Sequence, residues 1–152
     1  MIKVVRVMTL MAVVVLAACG GRSAEDQVVQ VPPSDTSPAT PSASVTVDSP
    51  ADGATVASPV KVKMAATGVV IEPASAGVKP NSGHFHIIVD ADCVASGQVI
   101  PADATHLHFG MAQTEADVPL PSGPHKLCIQ VADAAHMATD ITKIVPFTVS
   151  SS

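Results

Sequence analysis

The histidines are the residues of this chain whose type and spacing best suit chemistry. All six fall between residues 84 and 136, and four of them form two His-x-His pairs: His84 with His86, and His106 with His108. Side chains alternate between the two faces of a β-strand, so each pair presents both imidazoles on one face. If the two strands are neighbours, the sequence predicts that four imidazoles converge on one patch.

Neutral imidazole is a common ligand of zinc and copper, so the patch predicts a metal site. The predicted metal is copper or zinc, and a nearby methionine, such as Met137 beside His136, would favour copper. A structural interpretation stands beside this one, in which the imidazoles hydrogen-bond to carboxylates or carbonyls and stiffen a sheet. The predicted metal ligands are His84, His86, His106, His108 and His125.

The elements that must position these histidines are predicted to be strands. Apolar residues alternate with the histidines, so Phe85 and Ile87 lie on the face opposite His84 and His86. Short alternating segments separated by Pro and Gly turns, with no sustained helical spacing, predict an all-β fold. We expect a small immunoglobulin-like antiparallel β-sandwich. The predicted strands are 44–47, 60–64, 84–89, 106–109, 126–131 and 145–149.

The N-terminus predicts export and lipidation. Lys3 and Arg6 precede an apolar run that is too short to span a bilayer but suits a signal peptide. Small residues then lead directly to Cys19, which resembles the lipobox of bacterial lipoproteins, with cleavage before the cysteine and lipidation of it. The expected location is the cell envelope outside the cytoplasm, with the membrane as partner. The predicted organisation is a signal peptide at 1–18, a lipidated cysteine and flexible Pro/Ser-rich tether at 19–44, and one domain at 45–152.

Charge and composition exclude several functions. The chain has 8 basic and 13 acidic residues, and loss of Lys3 and Arg6 with the signal peptide leaves a net charge of -7. An acidic surface argues against nucleic-acid binding. The chain has neither Trp nor Tyr, which leaves no aromatic platform for sugar stacking. No nucleophile elbow or phosphate-binding glycine loop is present.

Two cysteines remain in the domain, Cys93 and Cys128. An even number of cysteines in an exported protein predicts a disulfide. Closing a loop of this length stabilises a fold by about 3–4 kcal/mol in the loop-entropy model. The alternative is that the two thiolates act as ligands beside the histidines.

Six blocks of the sequence carry a family resemblance: Ser49–Val56, Gly83–Asp90, Ile100–Asp103, His106–Gly110, Gln113–Glu115 and Leu120–Leu127. They resemble successive blocks of a bacterial family, the domain of unknown function 4399. The resemblance covers most of residues 49–149 in the family's order and implies a small exported β-domain with no settled activity.

Three functions are therefore open. The first is a membrane-anchored metal-binding or metal-handling module. The second is a non-enzymatic envelope interaction domain, with an unidentified envelope protein as partner and with structural histidines. The third is a cupin-like metalloenzyme, since His84, His86 and Asp90 resemble the first cupin motif and the segment ending at His125 loosely resembles the second. No residue is assigned a catalytic role.

Overall fold

The computed structural model describes residues 42–151, and nine strands make up most of that range. The predicted signal peptide, Cys19 and most of the predicted tether lie outside the described residues. A short 3₁₀ helix at Ala74–Ala76 interrupts the strands. The strands are β1 Ser44–Ser49, β2 Thr55–Val56, β3 Val60–Thr67, β4 Val70–Ile71, β5 Ser82–Val89, β6 His106–Phe109, β7 Glu115–Val118, β8 Gly123–Ala132 and β9 Ala138–Val149.

The strands form two sheets with one apolar core between them. One sheet has three strands in the order β1-β3-β7; the other has six, in the order β2-β9-β8-β5-β4 with β6 also paired to β5. Val62 and Met64 from the first sheet pack in the same buried cluster as Phe85, Ile129 and Phe147 from the second. Alternation supplies this core, because every second side chain of a strand faces inward. The prediction of an all-β sandwich is confirmed.

Both faces of the six-stranded sheet are buried along β5 and the second half of β8, although β9 keeps one exposed face. Residues 90–105, the covering loop, fold back over the outer face of the sheet after β5. The predicted disulfide is confirmed: Cys93 is bonded to Cys128 of β8, with Cα atoms 5.5 Å apart, so neither sulfur is a thiolate ligand. The fully buried Gln130 side chain holds Val94 by two hydrogen bonds, accepting from its N–H and donating to its carbonyl.

All six predicted strands occur, most of them longer than predicted. The main omissions are β7, where Ala116 and Val118 alternate with acidic residues, and the first half of β9. The short strands β2 and β4 pair in parallel with β9 and β5, so the six-stranded sheet is mixed at its edges, while the three-stranded sheet is antiparallel as predicted. No helix within residues 42–151 is long and apolar enough to cross a membrane.

Candidate metal centre

Three histidines meet because β5 and β6 are antiparallel neighbours. His86 lies directly opposite His108 in the β5–β6 pairing, and His84 lies two residues before His86 on the same face of β5. This is the outer face of the sheet, since Phe85 and Ile87, which alternate with these histidines along β5, point into the core. The covering loop shields His84 and His86 from solvent, so that they are only 0% and 2% exposed, whereas His108 on the same face stays exposed.

The fourth histidine comes from the turn between β8 and β9. His136 has a left-handed backbone with φ of 64°, which is uncommon for a residue with a side chain and costs about 1 kcal/mol. The turn is held in place by the Asp133 carboxylate, which accepts hydrogen bonds from the N–H groups of Ala135 and Met137. The His136 carbonyl accepts a bond from Ile100 of the covering loop.

The four imidazoles form one compact group. His84, His86, His108 and His136 each contribute a nitrogen, and these four atoms lie within 4.8 Å of one another. The Nε2 atoms of His84 and His86 are 3.1 Å apart, and those of His108 and His136 are 3.2 Å apart. Nitrogens bound tetrahedrally to zinc at 2.0–2.1 Å would be about 3.3 Å apart. We call these residues the four-histidine cluster.

Burial favours the neutral form of three of the four imidazoles. Desolvation, reinforced by the neighbouring imidazoles, lowers the pKa of His84 to about 4 and that of His86 to about 3. Desolvation and the proximity of His136 lower the pKa of His108 as well. Neutral imidazole is the form that binds metal, so at neutral pH these three rings present lone pairs without first losing protons.

The Nδ1 atoms of His84 and His86 are buried and have no hydrogen-bond partner among the described residues. Buried polar groups are nearly always paired, so these two nitrogens are exceptions, and they stay unpaired if the Nε2 atoms bind a cation. Because no hydrogen bond is made to Nδ1 of His84 or His86, no contact at that atom fixes which ring nitrogen carries the proton. Both rings can therefore direct an Nε2 lone pair at a cation.

The ring of His108 occupies the space that a side chain at position 110 would need, and Gly110 leaves this space free. A Cβ built on Gly110 would overlap the Nε2 and Cε1 atoms of that ring. Any larger residue at position 110 must therefore push the His108 imidazole out of the cluster or move the end of β6. The Gly directly after Phe109 was a signal available in the sequence, but only the packing shows its purpose.

His106, a predicted ligand, lies outside the cluster. It is opposite Ile88 in the β5–β6 pairing, on the far side of His86 from His84. Its Nδ1 atom is 2.8 Å from Oδ1 of Asp103, an oxygen that also accepts from the hydroxyl and N–H of Thr105. The hydrogen bond from His106, with those from Thr105, holds the pKa of Asp103 well below its usual range.

His125, the remaining predicted ligand, also lies outside the cluster. Its Nδ1 atom donates to Asp90 at 2.8 Å and its Nε2 atom donates to the Pro121 carbonyl at 2.9 Å. Both partners are acceptors, so only the doubly protonated ring satisfies them. Burial opposes the charge, but the bonds to Asp90 and Pro121 raise the pKa of His125 above its ordinary value.

A cavity of about 340 Å³ opens beside the cluster. Three of the four histidines line it, together with a short apolar stretch of the covering loop, residues 99–102. An ion can therefore approach the buried imidazoles from this side. His108 is the most exposed of the four rings and lies at the cavity.

The fold and the site together define a β-sandwich domain with a cluster of four imidazoles, two of them buried, at the outer face of one sheet. Residues 62–150 match the family described as "Domain of unknown function (DUF4399)". Since the match covers more than half of the chain, the protein belongs to this family, as the sequence blocks predicted. No curated protein and no solved structure gives a significant match to the chain.

Proposed function

We propose that the protein is a metal-binding or metal-handling lipoprotein that holds one zinc or copper ion in the four-histidine cluster. The observation that carries this proposal is the convergence of four imidazole nitrogens within 4.8 Å of one another. Imidazole is a ligand for both metals, and two of the nitrogen pairs, at 3.1 and 3.2 Å, already have the spacing of direct coordination.

The donor set favours binding over catalysis. Catalytic zinc sites usually keep one position open for water or substrate, whereas sites with four protein ligands are closed. The cupin-like alternative needs a different set, in which His84 and His86 are joined by Asp90 and His125. Asp90 and His125 instead contact each other, away from the cluster.

The proposed location is the cell envelope, outside the cytoplasm. It is supported by the signal-peptide pattern that ends at Cys19 and by a disulfide, a bond typical of oxidising compartments. A lipid on Cys19 would hold the domain at a membrane through the Pro- and Ser-rich tether. Replacing Cys19 by Ser should release the protein from the membrane fraction and abolish fatty-acid labelling; membrane retention without lipid would contradict this location.

A structural network is the second candidate. The Nε2–Nε2 contacts at 3.1 and 3.2 Å are also hydrogen-bond distances, so the imidazoles can bind one another without a metal. In that case the cluster stabilises the turn that carries His136, and the domain acts through another surface in the envelope.

Thermal unfolding with and without metal separates the two candidates. A ligand that binds only the folded state stabilises it by about 2.7 kcal/mol at one hundred times its Kd, which raises the Tm of a domain of this size by about 10 °C. We expect this rise for the metal-free protein titrated with Zn(II) or Cu(II) at pH 7.5. Replacing both His84 and His86 by Gln should abolish it.

His106→Gln is the matched control, because it removes an imidazole from a strand of the same sheet without touching the cluster. This variant should keep the full metal-dependent rise in Tm. An unchanged Tm of the unsubstituted protein at saturating zinc and copper would leave the structural network as the explanation of the cluster.

A further inference from the structure

We propose that the four-histidine cluster is a closed tetrahedral site built for Zn(II) and not for Cu(II). This inference rests on the proposed metal-binding function and adds the geometry and identity of the ion. It is carried by the arrangement of the rings as a set, which the pairwise nitrogen distances alone do not reveal.

The four ring centres lie near the corners of a regular tetrahedron. The three separations from His84 are 4.9 Å to His86, 4.9 Å to His108 and 5.1 Å to His136. His86 and His108 are 5.1 Å apart, His86 and His136 are 5.8 Å apart, and His108 and His136 are 4.7 Å apart. No separation is much longer than the others.

Tetrahedral and square-planar coordination predict different sets of separations. With nitrogens at about 2.0–2.1 Å from the ion, ring centres lie about 3.2 Å away, so a tetrahedral site has six equal separations of about 5.2 Å. A square-planar site has four of about 4.5 Å and two of about 6.4 Å. The observed range of 4.7–5.8 Å matches the tetrahedron.

The electronic preferences of the ions then distinguish zinc from Cu(II). Zn(II) has a filled d shell and accepts tetrahedral coordination without cost, whereas Cu(II) with nitrogen ligands prefers a tetragonal arrangement. Flattening the cluster is costly, since His84 and His86 are buried on one strand and His136 sits in a turn held by Asp133.

The donor atoms also argue against Cu(I), the copper ion that accepts a tetrahedron. Soft thiolate and thioether ligands select Cu(I), whereas the four donors grouped here are imidazoles. The two cysteines among the described residues are joined in the disulfide and are not available as thiolates. Zinc is the ion that both the geometry and the donor type suit.

Affinity alone is a poor test, because Cu(II) outcompetes Zn(II) at most nitrogen sites whatever their shape. The test is therefore spectroscopic and uses Co(II), whose visible absorption is intense when tetrahedral and weak when six-coordinate. We expect metal-free protein to bind one Co(II) with the intense spectrum. One equivalent of Zn(II) should then abolish that spectrum by displacement.

A second measurement uses Cu(II). Bound to the cluster, it should show an electron paramagnetic resonance spectrum with the reduced copper hyperfine splitting of a site forced toward a tetrahedron. A weak six-coordinate Co(II) spectrum, failure of Zn(II) to displace Co(II), or an ordinary tetragonal Cu(II) spectrum would each overturn the zinc assignment while leaving metal binding intact. Binding of none of the three ions would overturn the proposed function itself.

Single substitutions show that the spectrum comes from the cluster. His108→Gln removes the most exposed ligand, so the intense Co(II) absorption should fall severalfold and change shape. His106→Gln, two residues away on β6, should leave it unchanged. Equal loss in both variants, with circular dichroism showing both folded, would place the ion elsewhere and overturn the assignment.

Discussion

The histidines of this domain occupy two kinds of surroundings. Four of them face one another in the cluster under the covering loop, and no carboxylate belongs to that group. His106 and His125 each contact an aspartate, Asp103 and Asp90, at 2.8 Å. Burial without a carboxylate partner lowers the pKa of His84, His86 and His108, while two acceptors around His125 raise the pKa of its ring. The partner, rather than the residue type, decides which histidine is a candidate ligand.

Acid should reveal the largest difference between the two kinds. In the unfolded chain His84 and His86 bind protons below about pH 6.5, but in the fold their pKa values are about 4 and 3. The unfolded state then binds more protons between these values, so the free energy of unfolding falls as the pH is lowered. For two imidazoles the loss from pH 7 to 4.5 is about 5 kcal/mol.

Urea unfolding of the metal-free protein at both pH values measures this loss. The variant with Gln at positions 84 and 86 is the reference, because its carboxylates titrate as before and cancel in the comparison. An equal loss in the variant and the unsubstituted protein would show that the cluster is not held neutral by burial.

Removing the disulfide tests the role of the covering loop. Replacing Cys93 and Cys128 by Ser should lower the free energy of unfolding by about 4 kcal/mol, given the 35-residue separation. The covering loop should also become looser over the cluster. We therefore expect the pKa of His86, followed by NMR, to rise toward 6.5, while the His125 resonance, which depends on Asp90 and Pro121, changes little. No change in the pKa of His86 would mean that the sheet alone buries it.

Gly110→Ala should damage the cluster without removing a ligand. The added methyl group overlaps the His108 ring, so that imidazole must move away from the other three. Loss of ligand positioning typically weakens metal binding 10- to 100-fold, equivalent to about 1.4–2.7 kcal/mol. A competition titration with a zinc chelator measures it, and unaltered affinity would show that His108 is dispensable.

The smallest expected effect belongs to His125. Its charged pair with Asp90 stabilises the fold fully below pH 6.5, and this contribution disappears as the pH rises through the raised pKa of the ring. His125→Gln should cost about 1 kcal/mol at pH 6 and less at pH 9, with unchanged metal binding. This is the opposite pH dependence to that of the cluster. A larger cost at pH 9 than at pH 6 would contradict a charged ring.

Alternation allowed much of the fold to be predicted. A period of two in apolar residues marks a strand and its inner face whatever its partners are, so β5 and β6 and the outward direction of His84 and His86 followed from the sequence. The strand β7 was missed because its short alternation of Ala116 and Val118 with acidic residues is a weak apolar signal. The left-handed turn at His136 was missed since it contains no glycine to mark it.

The membership of the cluster was decided by tertiary structure. Two His-x-His strands can pair in several registers, and the local pattern is the same in each. Had His86 paired with His106, the four imidazoles of the two His-x-His pairs would have met. His86 pairs with His108 instead, which places His106 beside Ile88, and His136 from the β8–β9 turn is the fourth member of the cluster. Register depends on the summed packing of the whole sheet and its turns, which no single motif encodes. The residue types and the face were thus determined by the sequence itself, and the ligand set by the register.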